Sequence, residues 1–146
     1  MATQLGMTQF TPLTCERSVV KPSAASQERW RRICLEACKQ SRRLYLPAID
    51  PPATPAELAA RVAASGQALW LAHPSGGAIP ALTLNNLAQT ITILIGPEGG
   101  FTEKEIAQFT AAGATTISLG QAILRIETAA VAVLAAINLS ANRGTP

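Results

Sequence analysis

Six residues in a row, Thr90–Ile95 (TITILI), are β-branched or leucine, and the run passes without a spacer into Gly96-Pro97-Glu98-Gly99-Gly100. Such side chains favour extended backbone, and apolar groups on both faces leave no wet side. The run therefore predicts a strand at the centre of a parallel sheet. Parallel strands need long crossovers, and the flanking sequence supplies them. Thr102 predicts a helix cap with Glu105 three residues on, and that helix stops at Gly113. Ala68–Ala72 (ALWLA) and Thr115–Leu119 predict two more strands. Strands alternating with helices predict an open α/β sheet.

Length suits a single domain over residues 1–146, and 48% apolar against 14% charged residues excludes global disorder. Met7–Leu13 alternates and predicts a short strand; Thr14–Ala25 reads as a loop. Ser26–Arg43 has helical periodicity, with Ser26 as N-cap and Trp30, Ile33, Cys34, Ala37 and Cys38 on one stripe. Leu44–Ile49 predicts a strand. Thr54 caps a helix that begins at Pro55, runs to about Ala64 and stops at Gly66. His73–Gly77 reads as a turn, Gly120–Arg125 as a loop and Glu127–Ala141 as a helix.

Three cysteines, Cys15, Cys34 and Cys38, without a CxxC and with a single histidine, predict reduced thiols, no metal and a cytoplasmic setting. No signal-peptide pattern opens the chain, and the longest apolar run, 129–137, is too short for a bilayer. The net charge of +3 is unevenly spread: residues 1–43 carry +5 and residues 44–146 carry −2. That excess points to an anionic partner near the N-terminus.

Two strand-to-loop junctions carry candidate chemistry. The glycines of 96–100 suit either a tight turn or a loop that lets a ligand approach the backbone, as ligands do beyond the carboxyl ends of parallel strands. The loop is neither a Walker A sequence nor GxGxxG. The second junction, 118–129, carries Arg125 and Glu127 just before an apolar helix. Glu127 suits the helix macrodipole with Arg125 as its ion-pair partner, or both residues serve chemistry.

Taken together, Leu94–Glu105 (LIGPEGGFTEKE) and Ser118–Ala130 (SLGQAILRIETAA) resemble the signature of the RsmE-type ribosomal RNA uracil-N3 methyltransferases of the SPOUT class. Upstream, ATQLG at 2–6 is similar to that family's ATELG. Glu16-Arg17-Ser18 and Glu28-Arg29-Trp30 resemble its ERS and ERW stretches, and ACKQSRR at 37–43 its A-x-EQSGR motif. Lys39, Arg42 and Gln4 depart from the usual Glu, Gly and Glu.

The resemblance implies a SPOUT-type trefoil-knotted parallel sheet flanked by helices. It also implies that the family's N-terminal PUA-like barrel is absent, together with a strand and most of a helix, which would expose apolar surface. It implies S-adenosylmethionine as cofactor, held by Ile95, Gly96 and Gly100 from the first loop, Leu119, Gly120, Ile123 and Leu124 from the second, and Leu71 from the ALWLA strand. It implies methyl transfer to N3 of a uridine in 16S ribosomal RNA of the small subunit, by a homodimer. Arg17, Gln40 and Arg43 are then RNA-binding candidates.

Uracil N3 must lose a proton before it attacks, which needs a proton acceptor or a stabiliser of the developing oxyanion. Arg125 suits the stabiliser. Glu98 and Glu127 suit a proton acceptor or an arginine-orienting group, and the sequence does not rank the three. A cofactor-binding but catalytically weak RNA-binding module is the alternative, and a nucleotide-phosphate binder using GPEGG a third reading.

Overall fold

The computed structural model describes residues 1–19, 22–80 and 90–142. Its elements run β1 (Gln9–Phe10), α1 (Ala24–Ser41), β2 (Ala48–Ile49), α2 (Pro55–Ser65), β3 (Ala68–Gly77), β4 (Ile91–Leu94), α3 (Glu103–Ala111), β5 (Thr115–Ile117) and α4 (Ile126–Asn142). Every strand pairing is parallel. The strands form a two-stranded sheet, β1-β2, and a three-stranded sheet ordered β4-β3-β5. Among the described residues the fold is thus a parallel α/β arrangement flanked by four helices.

Among the described residues the TITILI strand is not central: β3 lies between β4 and β5. Burial explains the order. Leu69, Trp70 and Leu71 are buried in succession on β3, whereas Ile91, Thr92 and Ile93 of β4 are only half-buried. The predicted turn at His73–Gly77 also yields to the sheet. It continues β3 past a register irregularity, and Gly77 O accepts the Ser118 N–H at 2.7 Å.

Helix ends follow side-chain chemistry. α2 starts at Thr54 and α3 at Thr102, each in a reciprocal capping box with Glu57 or Glu105. For α1 the cap is Ser23 and not Ser26. The Ser23 side chain accepts the Ser26 N–H, and the Ser26 hydroxyl returns the bond to the Ser23 N–H. Ser26 is thus the third helical residue, and the cap stands three residues earlier than the sequence pattern suggests.

One core joins Leu58, Ala59 and Val62 of α2 to Leu69, Leu71, Leu94, Phe101 and Phe109; a second joins Trp70, Ile117 and Val133 of α4. Each is the apolar face of a helix laid on the sheet. A cleft of about 990 Å³ runs between residues 8–13 and 90–98, with α4 residues such as Val133 and Ile137 along it. The knotted threading depends on the path of 81–89, which lie outside the described residues.

Candidate functional site

Register brings the two glycine-bearing loops together. Leu71 is the Cα partner of Leu94 on one side and of Thr116 on the other. All three strands point the same way, so residues 95–100 and 118–125 leave the same end of the sheet, flanking β3. With neighbouring parallel strands ~4.8 Å apart, their roots are separated by about 10 Å.

The first loop is fixed at both ends. Leu94 is buried at its start, and Phe101 is buried at its finish, edge-on to Phe109 with ring centroids 5.2 Å apart. Between them Gly100 N–H donates to Pro97 O at 2.8 Å, and Gly100 takes φ +69°. Gly96 turns its back to Phe101: a Cβ there would stand 3.2 Å from the ring. On Gly100, and on Gly120 of the second loop (φ +126°), a Cβ would meet nothing within 4 Å. Space beside the backbone is therefore open where a ligand needs close approach.

The cofactor candidates differ in kind. Leu71 is fully buried in the core, its backbone included. Ile95, Gly96, Gly100, Leu119 and Leu124 are half-buried, Gly120 is exposed, and Ile123 is 89% exposed. The large cleft is not this site. It takes in Ile95, Gly96 and Glu98 at one end, but none of Leu71, Gly100, Leu119, Gly120, Ile123 or Leu124.

The three catalytic candidates are all exposed. Arg125 and Glu127 straddle the start of α4, where Ala129 N–H donates to Arg125 O at 2.8 Å. Arg125 precedes the helix and Glu127 lies in its first turn, and they form no ion pair. The ion pairs among the described residues are Lys39–Glu36 and Arg61–Asp50. Glu98 lies on the first loop at the cleft mouth. Cys15 supplies no nucleophile: burial, with the Glu105 charge beside it, pushes its thiol up and keeps it protonated.

The RNA-binding candidates are engaged within the chain. Arg43 donates to Thr3 O and to Met7 O, the latter at 3.2 Å, which ties the N-terminal turn to the end of α1. Gln40 accepts from the Gln4 side chain. Arg17 Nη1 donates to Gly99 O at 2.9 Å. Arg17 and Gln40 are nonetheless exposed, as are Arg29, Arg31, Arg32 and Arg42 along α1 and beyond it, whereas Arg43 is half-buried.

Sequence reasoning missed one residue here. Glu105 was legible as a capping-box carboxylate, but its second oxygen accepts the Glu16 N–H at 2.8 Å and it is only 6% exposed. Burial opposes its ionisation. The N–H groups of Thr102 and Glu16, the Thr102 hydroxyl and the Arg17 charge overcome that and hold its carboxyl below the usual glutamate range.

The RNA methyltransferase domain family matches residues 1–138. The chain is 41% identical over 141 residues to ribosomal RNA small subunit methyltransferase E of Synechocystis, covering 93% of this chain and 46% of that protein. The Aquifex aeolicus protein of the same name is 35% identical, with 91% and 57% covered. The chain thus spans about half the length of these curated relatives. Among solved structures, a putative methyltransferase from Legionella pneumophila in complex with SAM superposes with TM-score 0.82 at 31% identity, covering 95% of this chain and 58% of that one. Ribosomal RNA small subunit methyltransferase E from Neisseria gonorrhoeae bound to S-adenosyl methionine gives 0.80 at 32% identity, covering 94% and 57%.

Proposed function

Because this chain belongs to the RNA methyltransferase domain family, we propose that it binds S-adenosylmethionine and transfers its methyl group to N3 of a uridine in small-subunit ribosomal RNA, in the cytoplasm. The observation that carries this reading is the shared register of Leu71 with Leu94 and Thr116, which sends both glycine-bearing loops out of one sheet end. The Legionella pneumophila protein in complex with SAM and the Neisseria gonorrhoeae protein bound to S-adenosyl methionine share this fold.

The residues present fit such a ligand. The open sides of Gly100 and Gly120 admit it to the backbone, with Ile95, Gly96, Leu119 and Leu124 forming half-buried surroundings for an adenine. S-adenosylmethionine supplies an electrophilic methyl on a sulfonium, so the chain's own task is to hold uracil N3 in line with it and handle one proton. Arg125, exposed beside the second loop, stabilises the oxyanion that develops on the uracil. Glu98 or Glu127 takes the N3 proton.

The knotted threading belongs to the same proposal. A homodimer does too: Ile123 and Ile126 leave apolar side chains in solvent beside the second loop, which a second copy would cover.

Calorimetry with S-adenosylmethionine, together with methylation of 30S subunits lacking the mark, tests the reading. Cofactor binding with turnover is the expected result. A cofactor-binding RNA module with weak catalysis is the second reading, and binding without turnover would support it. Affinity for ATP in place of S-adenosylmethionine would refute both.

A further inference from the structure

We propose that Arg17 is a positioning residue for the first glycine-bearing loop, clamping it from the N-terminal segment so that its backbone stands ready for cofactor; the proposal rests on the cofactor reading above.

Three observations carry it. The Arg17 guanidinium donates to Gly99 O at 2.9 Å, across 82 residues of sequence. Its aliphatic stem lies against the same glycine: a Cβ on Gly99 would stand 3.2 Å from Arg17 Cβ and 3.4 Å from Cδ. Arg17 is itself held by its neighbours. Cys15 is buried in the core that contains Phe101, and Ser18 N–H donates to Cys15 O at 3.1 Å, closing the turn. Glu16 N–H is fastened to Glu105, whose other oxygen accepts the Thr102 N–H at 2.8 Å.

One carboxylate therefore joins the Arg17 turn to the end of the loop, while the guanidinium grips its middle. The loop is bound on both sides of Gly100, the glycine whose open flank is offered to a ligand. Arg17 is exposed, and it gives one N–H of its guanidinium to the loop carbonyl of Gly99. The chemistry calls for arginine, since a rigid planar fork on a stem flat against glycine sets both distance and direction.

The test compares the unaltered chain with Arg17→Met, which keeps the stem and removes the donor, and with Arg17→Lys. The first measurement is amide hydrogen exchange without any ligand. Exchange at Gly100, whose N–H is bonded within the loop, is expected to speed up about tenfold in Arg17→Met and less in Arg17→Lys, with residues 69–71 unchanged as the control for folding. The second is S-adenosylmethionine affinity by calorimetry without RNA, expected to weaken about tenfold in Arg17→Met.

Unchanged exchange at Gly100 would overturn the clamp whether or not cofactor binds. Faster exchange with unchanged cofactor affinity would overturn the positioning role. Faster exchange in a chain that never binds the cofactor would keep the clamp, remove its role in cofactor binding and sink the functional reading instead.

Discussion

The Glu105 carboxylate accepts the backbone N–H of Glu16 at 2.8 Å, joining two segments 89 residues apart, while its second oxygen caps α3 through Thr102. Both bonds need the ionised form. Because the folded-state carboxyl is held below the ordinary value of 4.5, its stabilisation is complete above that value and is lost as pH falls through the lower, folded one. Glu105→Gln should therefore lower stability at neutral pH by about 1–3 kcal/mol and flatten the acid limb of the stability curve. Urea unfolding between neutral and acid pH checks this; parallel curves for the two proteins would contradict it.

Gly76 and Gly77 are adjacent, yet they should respond oppositely to alanine. A Cβ on Gly76 would stand 2.6 Å from Ile117 O and 2.7 Å from Ser118 N, backbone atoms that cannot swing away. On Gly77 the nearest atom is Thr116 O at 4.0 Å. Gly76→Ala is expected to cost about 3 kcal/mol or more, at or above the usual overpacking range, and Gly77→Ala under 1 kcal/mol. Denaturation midpoints of the two variants decide the point.

These glycines also show where a sequence stops being legible. Thr54 with Glu57 and Thr102 with Glu105 were readable because a capping box is chemistry across three residues. The TITILI strand and the GPEGG turn were readable for the same local reason. The place of β4 at one side of its sheet was not, because strand order depends on which residues are buried from both faces, as Leu69 to Leu71 are. Nor was the extension of β3 through Gly77, whose turn-forming composition is overridden by pairing to Ser118. Arg17 shows the limit at the site: its charge was visible, but its bond to Gly99 spans 82 residues and no local pattern encodes it.

Gly100→Val should abolish cofactor binding. Gly100 sits at φ +69° with open space where a side chain would grow, so valine adds both backbone strain and a branched group in the ligand's path. Strain alone costs ~1–3 kcal/mol of stability, so a control is needed. Gly113→Val supplies it: φ is +88° and space is equally open, but the residue lies at the end of α3, away from the loops. Both variants should lose similar stability, and only Gly100→Val should lose affinity in calorimetry.

Arg125 is exposed at the start of α4 and forms no ion pair with Glu127. Its guanidinium is available to a substrate oxyanion. Arg125→Ala is expected to lower kcat on 30S subunits by about 10²–10³, the usual loss for one oxyanion donor, and to leave cofactor affinity within twofold. Equal losses in both measurements would make Arg125 a part of the cofactor pocket. Stability should barely move, since the side chain is solvated.

The arginines of α1 and of the segment just after it divide by what they touch. Arg31 and Arg32 are exposed, whereas Arg43 is half-buried and holds the carbonyls of Thr3 and Met7. Phosphate contacts release counterions, so each one lost should reduce the slope of log affinity against log salt by about 0.7–0.9. Replacing Arg31 and Arg32 together with alanine should flatten that slope for a small-subunit ribosomal RNA fragment by nearly twice this amount, with stability unchanged. Arg43→Ala should instead destabilise the N-terminal turn by about 1–3 kcal/mol, since two carbonyls lose a charged donor. Should Arg43→Ala flatten the salt slope and leave the unfolding midpoint in place, Arg43 contacts RNA directly and its bonds to residues 3 and 7 give way when RNA arrives.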